Sequence, residues 1–382
     1  MAEKDRVLVL ECQEYKVELI KKKINAALKK IGGLKSFISA EQKVLLKPNL
    51  LMAKKPEAGI TTHPAVVQAV VELVSEIGAE IVIGDSPGGP FNKTVMKRVY
   101  QKTGMTKVAQ ETDADLNWDF GRETSNLAES QMLNHLTVGE YIAEADLIIN
   151  LPKFKTHGLT KMTGGVKNLF GAVPGLLKAE YHMKMPQLDN FSDALLDIAL
   201  AVRAELTIVD GITAMEGEGP SSGDEYELNR LLVGTNPLAV DVVMADLVGI
   251  KAEDVATIAA AKRRDLVYDL EQIEYLGVKT ELDEFKTPTI DSSAQLLERR
   301  MPSFLAGWIR KLVKPKPIFN DNKCVQCGAC ITSCPPQVIS KTESGVEADL
   351  DNCIRCFCCQ ELCPEDAVEI HRPWLGKLLF QR

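Results

Sequence analysis

Apolar residues along the first 285 or so positions fall into two alternating rhythms: short β-branched runs, and longer stretches in which they recur every three or four positions. Arg6–Glu11 reads as a strand and Val17–Ile31 as a helix that stops at Gly32-Gly33. Lys43–Leu46 is a further strand. Thr62-His63-Pro64 then opens a helix whose Val66, Val67, Val70, Val71, Val74 and Ile77 keep helical spacing as far as Gly78. Strands are expected again at Ala79–Ile83, Ala145–Leu151, Leu206–Val209 and Arg230–Val233, with helices at Ser192–Ala204 and Pro237–Val248. Strands alternating with helices make βαβ units, so the fold class expected for residues 1–286 is α/β, a mostly parallel sheet with flanking helices.

The rhythm breaks at about 287–317, a linker-like stretch. There Trp308, Ile309, Leu312 and Val313 alternate with Arg310, Lys311 and Lys314 before a Lys-Pro-Lys-Pro run. Residues 318–371 form a small cysteine-rich module. The tail, 372–382, sets Trp374, Leu375, Leu378, Leu379 and Phe380 beside Arg372, Lys377 and Arg382. Such basic amphipathic pieces lie on membrane surfaces or pack one module against another; the second reading is preferred.

The module carries two runs of one pattern, C-x2-C-x2-C-x3-C-P: Cys324, Cys327, Cys330, Cys334 with Pro335, and Cys353, Cys356, Cys359, Cys363 with Pro364. That is the spacing of bacterial two-cluster ferredoxins, in which the fourth cysteine of each run reaches across to the other cluster. Cys324, Cys327, Cys330 and Cys363 are then the ligands of one 4Fe–4S cluster, and Cys353, Cys356, Cys359 and Cys334 of the second. Zinc would need only four ligands per site and no repeated x3-C-P, and a disulfide framework belongs to small secreted domains. Cys358 leaves a choice of register; the spacing favours Cys359 as ligand and Cys358 as a non-ligand neighbour. Cys12, on an apolar strand, is expected to be a buried thiol.

The net charge of −8 argues against a nucleic-acid partner. The N-terminal sequence has no signal-peptide pattern, and no stretch reaches the roughly 18 apolar residues of a membrane span. Thiolate-held clusters suit the cytoplasm of an anaerobe.

In open parallel sheets ligands bind beyond the carboxyl ends of the strands. Four expected strand ends run into unusual residues: Lys47-Pro48-Asn49; Gly84-Asp85-Ser86-Pro87-Gly88-Gly89; Pro152-Lys153-Phe154-Lys155-Thr156-His157; and Asp210-Gly211 followed by Glu216. Residues 153–185 hold six lysines, Lys153, Lys155, Lys161, Lys167, Lys178 and Lys184, against the single acid Glu180. Within them lies Gly164-Gly165-Val166-Lys167-Asn168. Glycines let a backbone aim its N–H groups at an anion and lysines supply countercharge, so this segment is expected to be a loop that binds phosphate or carboxylate. It matches neither a Walker A loop nor a G-x-G-x-x-G fingerprint. His157 and His182 bracket it as candidate acid/base groups beside Lys167. Asp85, Asp210 and Glu216 could orient lysines, bind a metal or move protons, and Asp241 looks like part of a helix start.

Together these strings resemble the domain of unknown function 362 family, often fused to a two-cluster ferredoxin. The resemblance rests on Leu46-Lys-Pro-Asn49, Thr62-His-Pro64, Gly84-Asp-Ser-Pro-Gly88, Asn150-Leu-Pro-Lys-Phe-Lys-Thr-His157, Thr163-Gly-Gly-Val-Lys-Asn168, Asp210-Gly211 and Gly234-Thr-Asn-Pro237. It implies an iron–sulfur protein of redox type and names no reaction. His157, Gly164-Gly165-Val166-Lys167 and Pro174-Gly175 are also similar to the catalytic loop of nickel-pincer lactate racemases. There a lysine tethers a nicotinate-derived cofactor and histidines act on a hydroxy acid; Lys167 would take the lysine's place, with a longer interval to Pro174.

Three functions follow as expectations. The first is an oxidoreductase in which two clusters feed an anionic substrate or a second organic cofactor, with Lys47, Asn49, Asp85, Lys153, Lys155, Gly164, Gly165, Asn168, Asp210 and Glu216 as binding residues. Here Lys153, Lys155 and Lys167 clamp the anion and His157 gives the proton. The second is an electron carrier docking another redox enzyme. The third is a racemase-like isomerase. The first two need a redox protein partner or low-potential donor, in the third the clusters are structural or sensing, and a homodimer is compatible with all three.

Overall fold

The computed structural model describes residues 4–278, 284–288 and 315–371; the amphipathic linker segment and tail lie outside them. In the α/β body the strands are β1 (Asp5–Glu11), β2 (Lys43–Pro48), β3 (Glu80–Ile83), β4 (Asp115–Leu116), β5 (Arg122–Asn126), β6 (His135–Gly139), β7 (Leu147–Leu151), β8 (Lys153–His157), β9 (Lys161–Thr163), β10 (Leu206–Glu216), β11 (Asp224–Tyr226), β12 (Arg230–Gly234) and β13 (Ile273–Gly277). Eight of them run β13-β1-β12-β10-β7-β2-β3-β4 across one sheet, with β8 and β11 added to β10, and β9 to β8; β5 and β6 form a separate hairpin. From β10 through β7, β2 and β3 to β4 every pairing is parallel, as the alternation of strands and helices predicts. The antiparallel pairings on β12 reverse the other half.

Side chains of successive strand residues point to opposite faces, and β2 shows what each face buries. Val44 and Leu46 join one core with Ile20, Ile24, Val66 and Val70 of the helices Val17–Lys30 and Pro64–Ser75. Leu45 joins a second core with Phe191, Leu195 and Ile198 of the helix Leu188–Val202. A third core gathers under the helix Pro237–Leu247, where Val240 and Val243 meet Val9 and Leu232. The result is helix, sheet, helix. Phe285 closes the third core by packing its ring against Phe154 and Tyr226 at 6.3 and 5.1 Å.

The Pro64–Ser75 helix starts where the sequence says it should. Pro64 fills the first helical position, where a missing N–H costs nothing, and the His63 ring accepts the Ala65 N–H at 3.1 Å.

One element departs from the expectation. Lys153–His157 is not a loop but the strand β8, buried along its whole length and paired parallel to β10 and antiparallel to β9. Its polar side chains each find a partner inside the protein, which lets a sequence that looks exposed sit in the interior.

The cysteine module is built on β14 (Lys316–Phe319), β15 (Ile339–Lys341), β16 (Val346–Ala348) and β17 (Val368–His371), as two antiparallel pairs, β14 with β17 and β15 with β16. Both cysteine runs curl in the same way. Gln326 and Arg355 are left-handed at φ 51° and 57°, and two residues on Gly328 and Phe357 at φ 80° and 59°. Only the first run has the glycine that makes the second of these turns free of strain.

Candidate functional site

The lysines gathered at the carboxyl edge divide into two kinds. Lys47 Nζ lies 2.7 Å from Asp85 Oδ1 and donates also to the Asn168 carbonyl at 2.7 Å. Lys153 Nζ lies 2.9 Å from Asp210 Oδ2 and 2.9 Å from the Tyr15 hydroxyl, which itself donates to Asp210 Oδ1. All four charged side chains are at most 4% exposed. Glu216 is held by Lys286, whose Nζ approaches Oε1 at 3.2 Å and whose backbone N–H reaches Oε2 at 2.8 Å. Lys47, Lys153, Asp210 and Glu216, expected from the sequence to meet a ligand, thus each have a charged partner within the protein. A buried ammonium needs a countercharge, and these have internal ones.

The glycine pair also meets a partner within the protein. The N–H groups of Gly165 and Val166, at the start of the short helix Gly165–Asn168, donate to the two oxygens of Asp241 at 2.5 and 3.2 Å. The donors expected to cradle an anion are occupied by a carboxylate of the chain itself. A Cβ on Gly164 would collide with that carboxylate, so glycine is needed there for its close approach. Burial pushes the Asp241 carboxyl up to about 7, against the two N–H donors that favour its anion. Asp241, read from the sequence as a helix start, is what fixes the Lys167 helix in place.

The second kind of lysine has no carboxylate partner. Lys155 Nζ donates to Asn49 Oδ1 at 2.8 Å and the Ile60 carbonyl at 2.9 Å. Lys178 Nζ grips the Ser86 carbonyl at 2.9 Å and the Val173 carbonyl at 2.5 Å, tying the Gly84–Gly89 turn to the helix Leu177–Lys184. For Lys167, no acceptor among the described residues lies within hydrogen-bond distance of Nζ. Burial is the largest influence on all three, lowering Lys167 and bringing Lys155 and Lys178 down to about 7.

These three lysines meet at one cavity of about 80 Å³, where the cysteine module covers the carboxyl edge of the sheet. The body contributes Asn49, Asp85, Lys155, His157, Thr163, Lys167, Asn168, Lys178 and His182; the module contributes Ser333, Cys358, Glu361 and Leu362. Asn49 and Asn168 are positioned by a side-chain chain: Asn49 Nδ2 donates to Asn168 Oδ1 at 2.9 Å, and Asn168 Nδ2 to Asn150 Oδ1 at 2.8 Å.

His157 has a defined tautomer. Its Nδ1 accepts the Leu159 N–H at 3.0 Å, so in the neutral ring the proton sits on Nε2. Burial, with Lys167 adding to it, brings its pKa down to about 4, against the opposing pull of Glu361. Nε2 points across the junction and lies 3.0 Å from Glu361 Oε1, short of full hydrogen-bond geometry. Thr163 Oγ1 is a second buried polar atom of the cavity with no partner. His182 stacks on Phe191 with centroids 4.3 Å apart, and burial likewise holds it down to about 4.

Docking of the module is otherwise light. Lys54 meets Asp366 at 3.4 Å, Ser221 Oγ donates to the Gln360 carbonyl at 3.4 Å, and Leu362 packs on Gly88, where a Cβ would come within 2.6 Å of it.

Inside the module the structure brings Cys324, Cys327, Cys330 and Cys363 around one small cavity. Cys334 lies within electrostatic reach of Cys353 and Cys356, and Cys359 within reach of Cys353, Cys356 and Cys334. Cys358 instead turns to the lysine cavity. The donor set, two groups of four thiols with the last of each run crossing over, fits two cubanes. Sequence reasoning missed Thr163, Lys178, Cys358 and Glu361 as site residues. Setting the two cysteine runs one above the other would have found the last two. Cys358 stands where the first run has Ala329, and Glu361 where it has Thr332.

A ferredoxin-like module carrying two such cysteine groups, seated on the edge of an α/β sheet, defines an iron–sulfur electron-transfer protein. The chain belongs to the family described as a domain of unknown function (DUF362), whose model matches residues 44–246, and a 4Fe-4S dicluster domain matches residues 316–364. It is similar to the thylakoid-associated protein sll1697 of Synechocystis sp. (strain ATCC 27184 / PCC 6803 / Kazusa), 36% identical over 262 residues that cover 68% of this chain and 79% of that one. Pyruvate synthase subunit PorD of Methanothermobacter marburgensis is 39% identical over 57 residues, 15% of this chain and 67% of its own. Among solved structures, the lactate racemase apoprotein from Thermoanaerobacterium thermosaccharolyticum aligns at a TM-score of 0.41 and 11% identity, over 65% of this chain and 57% of its own. Among the described residues no helix is long and apolar enough to cross a membrane.

Removing one partner of a buried ion pair strands the other. Asp85→Ala, which leaves Lys47 unpaired, is expected to lower unfolding free energy by about 3–5 kcal/mol. Denaturant unfolding under anaerobic conditions reads this directly, and a loss below about 1 kcal/mol would contradict the structural role given to the pair.

Proposed function

We propose that the protein is an oxidoreductase in which two 4Fe–4S clusters deliver electrons, one at a time, to an anionic small molecule bound in the cavity between module and body. Cys324, Cys327, Cys330 and Cys363 hold one cluster; Cys353, Cys356, Cys359 and Cys334 hold the other. The clusters supply one-electron redox chemistry when bound. Everything else falls to the chain's own side chains. The observation that carries the reading is a half-enclosed cavity between module and body with three lysines unmatched by carboxylates, one wall of which is Cys358, adjacent in sequence to ligand Cys359.

Cys327, a ligand of the first cluster, is exposed, whereas Cys334 and Cys359 of the second, and its neighbour Cys358, are buried. This supports a direction of flow: a redox protein partner meets the first cluster from solvent, and electrons leave from the second towards the cavity. Lys155 and Lys167 hold the anion, and Lys167, lowered by burial and without a fixed acceptor, is the best-placed proton donor. His157, held neutral, presents its Nε2–H and is a hydrogen-bond donor rather than the acid expected from the sequence. Thiolate ligation and exposed Cys327 favour a reducing, oxygen-poor cytoplasm.

Lys167→Ala is expected to keep both clusters and abolish anion-dependent reoxidation of the reduced protein. If turnover survives and only salt-sensitive binding of a partner protein weakens, the protein is an electron carrier instead. Cys327→Ala should take iron from about eight to about four per chain, and unchanged iron would refute the ligand assignment.

The pH dependence has a definite sign. Lys155 faces Lys167, Lys153, Asp85 and Glu361, and loses its charge as pH rises through about 7. Affinity for an anion of fixed charge such as formate should be level below pH 6 and fall up to about tenfold per unit above 7. Titration calorimetry at pH 6 to 9 showing level or rising affinity would contradict it.

A further inference from the structure

The polar atoms facing the cavity are nearly all donors. Lys155 has three N–H groups and gives two of them to Asn49 Oδ1 and the Ile60 carbonyl, which leaves one. Lys167 has all three. Thr163 Oγ1 has no partner, and His157 carries its proton on Nε2. Acceptors are scarce: both oxygens of Asp85 are engaged, by Lys47 Nζ and by the Leu50 N–H, and Asn168 Oδ1 is taken by Asn49. Glu361 is the remaining carboxylate. A ligand for such a lining has several lone pairs and a negative charge, and few hydrogens to give.

Size narrows the class. A dry cavity of about 150 Å³ accepts benzene, with its six carbons. At about 80 Å³ this one admits roughly half as much.

Resting on the reductive, anion-binding reading above, we infer that the ligand is a small oxyanion of about three to five non-hydrogen atoms, such as a short carboxylate or bicarbonate, and that Thr163 selects for it. Thr163 stands directly across from Lys155 in the β8–β9 pair. Directly opposed residues share a face of the sheet, so hydroxyl and ammonium reach the same oxygen-bearing group from one side. The hydroxyl then completes its hydrogen bonding only when the oxyanion is present.

The test is titration calorimetry of the anaerobic, cluster-loaded full chain with formate, acetate, bicarbonate and benzoate. Formate, acetate or bicarbonate is expected to bind, and benzoate at least about 30-fold more weakly. Thr163→Val should weaken the best small anion about tenfold, and Thr163→Ser should restore most of it. Iron content and melting temperature confirm that both variants are folded and loaded. Benzoate binding as tightly as acetate, or Thr163→Val binding unchanged, overturns the inference while leaving an anion site in place. If no anion of the series binds, the anion-binding reading falls with it.

Discussion

Burying an ammonium group without a carboxylate is expensive, and around one cavity the molecule buries Lys155 in this way and half-buries Lys167 and Lys178. The cost is visible in Lys155, Lys167 and Lys178, which burial pushes towards their neutral forms. The contrast lies a few ångströms away. Lys47 and Lys153 sit on the same sheet edge, fully buried, and each has an aspartate at 2.7–2.9 Å. The chain supplies carboxylates in direct contact with Lys47 and Lys153, whereas the two carboxylates that line the cavity, Asp85 and Glu361, pair with Lys47 and face His157 instead. That asymmetry marks which of the basic residues belong to a site and which to the scaffold.

The cavity exists only because the two parts of the chain meet. Its body side is organised by Asp241, which fixes the Gly165–Asn168 helix, and by the Asn49–Asn168–Asn150 chain. Its other side is the second cysteine run, where the departures from the first run, Cys358 and Glu361, face the lysines. A pseudo-repeat that is symmetric in its cysteines is thus asymmetric where it touches the body. One end of the module is open to solvent at Cys327 and Val325, the latter 62% exposed, and the other end is closed over the lysines.

Much of the fold is legible in the sequence, because period-2 and period-3.6 patterns report directly which faces are buried. The strand β2 and the helix Pro64–Ser75 fall where the apolar spacing puts them. The strand β8 was misread because Lys-Phe-Lys-Thr-His looks solvated. Its burial depends on Asp210, Asn49 and Glu361, which are remote in sequence. Gly164-Gly165 looked like an anion cradle for a similar reason: the occupying carboxylate, Asp241, lies 76 residues away. Local composition shows that donors are present, but only the tertiary structure shows which have already been matched. Lys155, His157, Lys167 and His182 were legible as a basic group, and the structure brings them together; Thr163 gave no local signal.

The central claim is that the lysine cavity is electrostatically coupled to one of the two clusters, and a redox titration of Lys167→Met followed by EPR tests it most directly. Reduction adds negative charge, so removing a nearby ammonium should lower the potential of the adjacent cluster by on the order of 50 mV while leaving the other unchanged. Two potentials that both stay at their wild-type values would contradict the account.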